Sequence, residues 1–572
     1  MPYNPPLEEQ RFVLAHVVGI SDLAKHYPSA ESDTVDAVIE ALATFASGEI
    51  VPLGPVADRQ GARWTPEGVV TAEGYKQAYR ALVEGGWMSL TGPEEFGGQA
   101  MPLAMATLLM EDMCSADMAF SLCSMLSFGA IDAIEAHGTD EQKALWLPRL
   151  VSGEWTGTMN LTEPQAGSDV GALKTSAVRQ PDGRYKIKGQ KIFITYGDHD
   201  MADNIIHTVL ARTPDAPPGT KGISLFLVPK YRLDADGRPE EANDVRCASI
   251  EHKLGIHGSP TCVMLFGEDD DCYGELIGQE GGGMRAMFTM MNAARLQVGL
   301  QGVAVAEAAT QHATAYALER IQSPRAGSPS RESVPIIQHP DVRRMLLRMK
   351  ALTMGARALV YAAVGMADRA KAGIEGAQAR VDLLTPLAKA WGTDVGCEVA
   401  SIGVQVHGGM GFIEETGAAR YYRDARIAPI YEGTNGIQAA DLVNRKLGLD
   451  GGAAVASLLA DLRADAGDER TLLDLINRIE KIVGGYVNAS IDDRLAGSYP
   501  LLSMLSVATA GALLARQLRA AGEGASDFLV MKRTAARYFL DIIVPEAEGL
   551  AASATNGAAL LYSCSDGCFV AA

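Results

Sequence analysis

The sequence has little positive charge. Its 572 residues include 50 Lys and Arg against 70 Asp and Glu, a formal net charge of −20. Such an excess of acid repels phosphate backbones and anionic lipid, so the composition disfavours nucleic acid and membrane-surface partners. The first twelve residues lack the basic start and apolar core of a secretory leader, and no apolar run looks long enough to cross a bilayer. We therefore expect a cytoplasmic protein with no membrane insertion.

Cysteines are few, and their spacing does not suggest a disulfide framework or a metal site. The eight cysteines are scattered, and only Cys564 and Cys568 lie close together, as a C-x3-C pair without a nearby histidine. Zinc sites need more ligands than that pair supplies. The pattern indicates reduced thiols and no bound metal.

The length and the hydrophobic periodicity predict several domains, mainly helical. Helical spacing dominates as far as about residue 150, short β-rich runs separated by turn residues follow, and helical spacing then returns. A Gly-rich linker at 447–452 precedes a further helical tail without an excess of basic residues. We predict an N-terminal helical domain, a middle all-β domain, a second helical domain and an additional helical domain, at 1–155, 156–275, 276–447 and 453–572.

Three segments have compositions suited to binding or catalysis. LTEPQAGSDVGA at 161–172 offers hydroxyls and backbone N–H groups to an anionic or hydrogen-bonding cofactor, although a self-capped turn accounts for it equally well. The glycines of QVHGGMGF at 405–412 permit close backbone approach, but no strand precedes them, so a dinucleotide-binding Rossmann fold is not indicated. IYEGTNGIQ at 430–438 places Glu432 just before a predicted helix, where a lone acid is ordinarily a surface residue.

Together these segments resemble the acyl-CoA dehydrogenase family. The first looks like one family signature, the span from Gln405 to Asp424 like the second, and IYEGTNGIQ like the segment that carries the catalytic glutamate. The helical, β, helical order also fits that fold, which implies that the middle domain is a β-barrel and that the C-terminal domain at 276–447 is a four-helix bundle. The tail, with LGIHGSPTCVM and MFTMMNAARLQVG, resembles a longer subgroup that includes enzymes acting on 3-(methylthio)propanoyl-CoA.

The resemblance implies FAD-dependent oxidation of an acyl-CoA thioester to the trans-2-enoyl-CoA, with electrons passing to an electron-transfer flavoprotein. Glu432 is then the base that removes the α-proton while the β-hydrogen leaves as hydride. Its backbone N–H is expected to polarise the thioester carbonyl. Burial raises the pKa of such a carboxyl, and a helix starting near Thr434 opposes that rise, so the sequence leaves the net direction open.

The resemblance also implies which residues bind cofactor and substrate. The family positions that match Arg320, Gln405, Gly408 and Gly409 hold FAD across a subunit boundary, so a homodimer is expected. Phe193 stands where the family often has Trp. Without the family, the sequence pattern around Phe193 predicts a buried strand residue. The implied FAD contacts are Met159, Leu161, Thr162, Gly167, Ser168, Phe193, Thr195, Arg320, Gln405, Gly408, Gly409 and Thr434, and the implied substrate contacts are Ser168, Arg295, Tyr431 and Gly433.

Two departures from the family pattern leave details open. An inserted Ser/Pro-rich loop follows Arg320, so cofactor contacts over 321–339 are undefined, and Asn292 stands where Asp is common. An acyl-CoA oxidase, or a DNA-binding stress-response flavoprotein of the same fold, remains an alternative. Acyl-chain preference, from short to long, is not encoded in any motif.

Overall fold

A computed structural model describes residues 3–570. The chain forms two compact units: one continuous, Ala41–Ala294, and one discontinuous, made of Met1–Glu40 and Arg295–Ala572. The α-helices, numbered in chain order, are α1 Leu7–Val13, α2 Ile20–Leu23, α3 Ser32–Phe45, α4 Leu53–Gln60, α5 Tyr75–Glu84, α6 Leu103–His137, α7 Asp140–Ser152, α8 Gly283–Glu319, α9 Pro340–Lys371, α10 Ala377–His407, α11 Ala418–Ala425, α12 Asn435–Asp441, α13 Ala453–Ala466, α14 Arg470–Tyr486, α15 Ile491–Ala521, α16 Asp527–Tyr538, α17 Val544–Glu548 and α18 Ala551–Thr555.

The strands all lie in the continuous unit. They are β1 Arg63–Thr65, β2 Gly68–Val70, β3 Trp155–Asn160, β4 Ser176–Arg179, β5 Tyr185–Thr195, β6 Asn204–Arg212, β7 Ile223–Pro229, β8 Tyr231–Leu233, β9 Pro239–Ala242, β10 Val245–Ile250, β11 Thr261–Phe266 and β12 Tyr273–Ile277. The pairs β1–β2 and β8–β9 form separate two-stranded sheets. The hairpin β1–β2 lies within a region for which the sequence predicted only helices.

The main sheet closes on itself. Its strand order is β10-β11-β5-β12-β7-β6-β3, and β4 pairs with both β5 and β6, which completes a ring through β5, β12, β7, β6 and β4. Closure removes exposed strand edges from that ring. Apolar side chains such as Ile187, Val209 and Phe226 fill its interior with almost no solvent exposure. The β-rich runs of the sequence therefore form the barrel that the family resemblance implied.

In the discontinuous unit, long helices approach one another closely. Helix α9 packs along α10, and α15 packs against both. A Cβ atom added to Gly299 of α8 would lie 2.6 Å from the carbonyl oxygen of Ala388, and one added to Gly302 would overlap that of Gly392. Glycine at these positions lets the backbones of α8 and α10 touch, which brings their side chains to one site.

A buried network of charges joins the N-terminal segment to the tail of the same unit. Glu9 accepts hydrogen bonds of 2.7 and 2.8 Å from Lys532 Nζ. Arg357 reaches Glu9 at 3.8 Å and donates to Glu307 at 2.9 Å. All four side chains are buried, and each charge has an opposite partner, which keeps the desolvation cost of the network compensated.

The structure confirms the predicted fold class: a helical segment, a β-barrel, a second helical segment and a further helical tail. The four domain boundaries stay predictions. The expectation that no segment is long and apolar enough to cross a bilayer was wrong: Ser32–Gln60, Leu103–His137 and Ile491–Ala521 qualify by length and composition. They escaped notice because isolated polar residues interrupt their apolar runs. Within this fold the apolar windows of the latter two helices are 94% and 83% buried, and that of Ser32–Gln60 is 39% buried.

Candidate active site

The loop that carries Glu432 is held in a tight, left-handed turn. Glu432 has φ of 56° and Gly433 has φ of 85°. The Asn435 N–H donates to the Pro429 carbonyl at 3.0 Å and closes the loop. Thr434 then caps α12, as its hydroxyl accepts from the Ile437 N–H at 3.2 Å, so the helix begins where the sequence predicted. A left-handed φ is unfavourable for a glutamate, so the surrounding structure must hold Glu432 in this conformation.

Two cations flank this loop within the same unit. Arg295 Nε of α8 donates to the Glu432 carbonyl oxygen at 3.3 Å. Burial raises the pKa of the half-buried Glu432 carboxyl, while the charges of Arg295 and of Lys389, on α10, oppose the rise. Burial therefore outweighs the two nearby cations, and the pKa of the Glu432 carboxyl is raised.

The neighbours of Glu432 are fixed as well. The Tyr431 hydroxyl donates to the side-chain carbonyl of Gln301 on α8. The Gln438 amide donates to the Gly433 carbonyl at 3.3 Å, and a Cβ on Gly433 would lie 2.9 Å from that amide nitrogen. A side chain at Gly433 would therefore be strained by the left-handed φ and would displace the Gln438 amide from the Gly433 carbonyl.

On the barrel, Phe193 stands on a β-bulge. Lys191 pairs with Met264 and Ile194 with Cys262, so Ile192 and Phe193 together face the single residue between those partners on β11. Phe193 takes a left-handed φ of 59° and its side chain is 58% exposed. The pattern-based expectation of a buried strand residue was wrong, because alternation cannot register a bulge that reverses one side chain.

The first signature is anchored to the strand that carries this bulge. Glu163 accepts from Lys191 Nζ at 2.8 Å and from the N–H groups of Lys174 and Thr175 at 2.6 and 3.0 Å. Lys191 Nζ also donates to the Leu161 carbonyl at 3.0 Å. Burial alone would raise the pKa of Glu163, but the Lys191 charge and these hydrogen bonds lower it to about 2. The signature loop is thus fixed by a buried ion pair.

Other implied contacts of this unit lie around the same loop. Met159 is buried in β3, Leu161, Thr162 and Thr195 are half-buried, and Gly167 and Ser168 are exposed. The Ile192 N–H donates to the Thr162 carbonyl at 2.9 Å, which joins the loop directly to the bulge. The structure therefore brings the barrel-side residues of the prediction together.

The second signature and Arg320 lie in the discontinuous unit. Arg320 is exposed at the end of α8, where its guanidinium donates to the Gln322 side chain at 3.1 Å. Hydrogen bonds from Gln322 to Val334 and from Ile336 to Arg320 return the inserted loop to its starting point. Gln405, Gly408 and Gly409 are exposed at the end of α10, and a Cβ on either glycine would meet no atom within 4 Å.

Sequence reasoning missed Lys389. It is fully buried, and its Nζ donates to the Asn435 side-chain oxygen at 2.8 Å. The only signal was a lysine inside the otherwise apolar run PLAKAWG. Gln301, the partner of Tyr431, was also missed, since nothing distinguishes it from the other polar residues of α8.

Family profiles cover nearly all of the chain. The N-terminal, middle and C-terminal domains of acyl-CoA dehydrogenase match residues 32–154, 158–268 and 281–447. A fourth profile, described as acetyl-CoA dehydrogenase C-terminal like, matches residues 453–565. The added tail thus corresponds to a recognised domain.

Individual proteins agree. The chain is 49% identical to the 3-methylmercaptopropionyl-CoA dehydrogenase of Ruegeria pomeroyi, over 82% of this chain and 80% of that protein. It is 40% identical to a butyryl-CoA dehydrogenase of Syntrophomonas wolfei, over 77% and 76% of the two chains. The fold matches an acyl-CoA dehydrogenase of Bacillus anthracis complexed with FAD, with a TM-score of 0.74 and 23% identity over 92% of this chain and 88% of that one. On these grounds the chain belongs to the acyl-CoA dehydrogenase family and is an oxidoreductase.

Proposed function

We propose that this enzyme uses FAD to oxidise an acyl-CoA thioester at the α and β carbons, with Glu432 as the base. The observation that carries the proposal is the Glu432 loop. Its carboxyl lies in a left-handed turn, and burial raises the pKa of that carboxyl against the charges of two nearby cations. A general base that works near neutral pH needs such a raised pKa.

The residues present fit FAD. In the continuous unit, the exposed Phe193 ring offers an aromatic face for an isoalloxazine, with the Thr195 hydroxyl two residues away on the same strand. In the discontinuous unit, Arg320 offers an exposed guanidinium to a diphosphate, and Gly408 and Gly409 leave room for close approach. When bound, FAD supplies the two-electron acceptor for the oxidation.

The protein's own part is to place and tune a proton acceptor. The Glu432 carboxylate takes the α-proton of the thioester, and the Glu432 N–H donates to the developing enolate oxygen. Gly433, Tyr431 and Arg295 shape and hold the turn. Because the carboxylate must be ionised to act, its raised pKa sets the lower pH limit of activity.

For the substrate, we propose 3-(methylthio)propanoyl-CoA first and butanoyl-CoA second, in the order of identity to the two relatives. A kinetic panel of CoA thioesters with an artificial acceptor ranks them: 3-(methylthio)propanoyl, butanoyl, octanoyl, palmitoyl and an aryl-propanoyl. Preference for palmitoyl-CoA would contradict this order. We propose an electron-transfer flavoprotein as the natural acceptor; peroxide formed without any added acceptor would favour an oxidase instead.

We also propose a homodimer. The loop beside Gly408 and Gly409 exposes Met410, Phe412 and Ile413, with Phe412 86% exposed. An apolar cluster of this kind beside the proposed cofactor contacts suits a face covered by a second copy. Sedimentation equilibrium of the FAD-loaded enzyme tests this, and a monomer would contradict it.

The base assignment is tested anaerobically. The FAD-loaded enzyme mixed with 3-(methylthio)propanoyl-CoA should lose its flavin absorbance near 450 nm, and Glu432→Gln should retain FAD but not bleach. Glu375→Gln, an exposed glutamate between α9 and α10, serves as the matched control and should bleach like the parent. Bleaching of Glu432→Gln at the parental rate would refute the assignment.

A further inference from the structure

Lys389 is a buried cation with a specific partner. It lies on α10, and its Nζ donates to Asn435 Oδ1 at 2.8 Å, while the Thr393 hydroxyl reaches the same oxygen at 3.3 Å. Asn435 is the first residue of α12 and also closes the Glu432 loop through its backbone N–H. A buried ammonium carries a desolvation penalty unless partners compensate it. Its hydrogen-bond acceptor here, Asn435, supports the loop of the base.

The other end of the Asn435 amide is also held. Its Nδ2 donates to the Ala390 carbonyl at 3.1 Å, to Thr393 Oγ1 at 3.0 Å and to Asp394 Oδ1 at 2.9 Å. These acceptors fix the amide orientation, so that Oδ1 points to Lys389. The side chain and the backbone of Asn435 therefore tie the exit of the base loop to α10.

The chain of hydrogen bonds continues into the added C-terminal domain. The second carboxylate oxygen of Asp394 accepts from the Tyr499 hydroxyl at 2.6 Å. Tyr499 lies on α15, within the segment 453–565 that matches the fourth family profile. A continuous path thus runs from Tyr499 through Asp394 and Asn435 to Lys389.

The charged groups around this path shift one another's pKa values. Glu432 faces Arg295 and Lys389. Burial lowers the pKa of Lys389 to about 8, and the charges of Glu432 and Asp394 oppose that fall. Burial raises the pKa of Asp394 against hydrogen bonds from Tyr499 and Asn435 and against the charges of Lys389 and Arg426. Arg295 in turn faces Asp441 and Arg445.

We propose that Lys389 and Tyr499 are positioning residues for the base: through Asn435 and Asp394 they hold the Glu432 loop in place and keep its carboxylate ionised. The inference rests on the function proposed above for Glu432. It assigns the added domain a part in catalysis, because one of its side chains completes the path.

Removal of either positioning residue should raise the pKa of Glu432. Without the Lys389 cation, Glu432 loses a charge that favours its ionised form, so its pKa rises. Without the Tyr499 hydroxyl, Asp394 loses a donor that favours its anion. The Lys389 cation is then less stabilised, and the pKa of Glu432 rises as it does without Lys389. Both substitutions therefore move the acidic limb of the pH profile upward.

The test uses the FAD-loaded full chain and the rate of anaerobic flavin reduction by 3-(methylthio)propanoyl-CoA and butanoyl-CoA from pH 5 to 9. The variants are Lys389→Met, Tyr499→Phe and Tyr486→Phe. Tyr486 is the control, because its hydroxyl also donates a hydrogen bond from the added domain, 2.8 Å to the Ala554 carbonyl and away from the path. That bond is buried, whereas the bond from Tyr499 to Asp394 is exposed, so loss of the Tyr486 hydroxyl should loosen the domain at least as much. Hydrogen exchange of the peptides covering 429–438 is measured on the same samples.

We expect the acidic limb to move up by about one pH unit in Lys389→Met, the size of shift that a nearby opposite charge produces. Tyr499→Phe should move it less, in the same direction, and speed exchange at 429–438, while Tyr486→Phe leaves both unchanged. If Lys389→Met does not fold, the pair Tyr499→Phe and Tyr486→Phe carries the test.

Two results would overturn the inference. One is a Tyr499→Phe enzyme with the parental pH profile and exchange; the other is a Tyr486→Phe enzyme that shifts as far as Tyr499→Phe, which would show a general loosening of the domain. Glu432→Gln, run beside them, separates the proposals. If it is inactive while Tyr499→Phe behaves as the parent, only this inference fails; if it reduces flavin normally, the base assignment fails.

Discussion

Arg295 Nε donates a 3.3 Å hydrogen bond to the backbone carbonyl of Glu432. A side chain from α8 thus holds the main chain of the proposed base, and its positive charge lowers a carboxyl pKa that burial raises. The resemblance implied a contact with CoA or the acyl end for Arg295. The structure adds a second role, the support of the loop.

We predict that Arg295→Met slows flavin reduction at pH 7 by at least about tenfold, because hydrogen bonds to charged groups contribute about 1.5–3 kcal/mol. It should also shift the acidic limb of the rate profile upward. Stopped-flow reduction across pH measures both. Arg344→Met, which removes an exposed guanidinium paired with Asp341, is the control; equal effects of the two substitutions would contradict the role of Arg295.

The left-handed turn at Glu432 predicts that activity requires a residue that lowers the stability of the fold. Glu432→Gly should abolish flavin reduction yet raise the unfolding free energy by about 1 kcal/mol, since glycine relieves left-handed strain. Thermal unfolding of the loaded enzyme measures the gain. Asp450→Gly, at an exposed position with φ of 52°, should show a similar gain with full activity. A less stable Glu432→Gly protein would argue against strain at this turn.

Phe193 is predicted to retain the cofactor. Phe193→Ala should release FAD during purification, seen as a higher ratio of absorbance at 280 to 450 nm, because an aromatic face contributes about 0.5–1.5 kcal/mol beyond its area. Leu254→Ala removes another exposed apolar side chain of the same unit, 64% exposed, and should retain FAD. Equal retention by the two variants would contradict the stacking role.

The sequence was sufficient for the fold class, because the periodicity changes sharply at the barrel and the two signatures match those of the family. It was insufficient wherever a side chain's task depends on partners distant in the chain. Phe193 appeared buried because alternation does not show a bulge. Lys389 was invisible because its role depends on Asn435 and Asp394, which only the packing of α10 and α12 brings together. The β1–β2 hairpin was missed because strands of three residues barely establish a period.

The buried pair Glu163 and Lys191 predicts an acid-sensitive barrel. The pKa of Glu163 is lowered to about 2 from its ordinary 4.5, so its contribution to stability is complete above about pH 4.5 and is lost as the pH falls toward 2. Lys191→Met should reduce the free energy of unfolding at pH 7 by about 3–5 kcal/mol, because it leaves a buried carboxylate without its partner. It should also move acid unfolding to higher pH.

Chemical denaturation at pH 7 and a pH titration followed by circular dichroism measure these effects. Arg246→Met, which removes one partner of an exposed pair with Asp269, should cost less than about 1 kcal/mol. A Lys191→Met protein as stable as Arg246→Met would show that the pair is not needed to hold the signature loop. The double variant Glu163→Gln with Lys191→Met should recover part of the loss.

The central claim is that Glu432 removes the α-proton. The direct test is single-turnover flavin reduction by 3-(methylthio)propanoyl-CoA carrying deuterium at C2, in the parent and in Glu432→Gln. We predict a primary isotope effect in the parent and a rate lower by at least about a thousandfold in the variant, within the range that general acid–base catalysis supplies. A parent without an isotope effect at C2, together with a Glu432→Gln rate within a few-fold of the parent, would contradict the account.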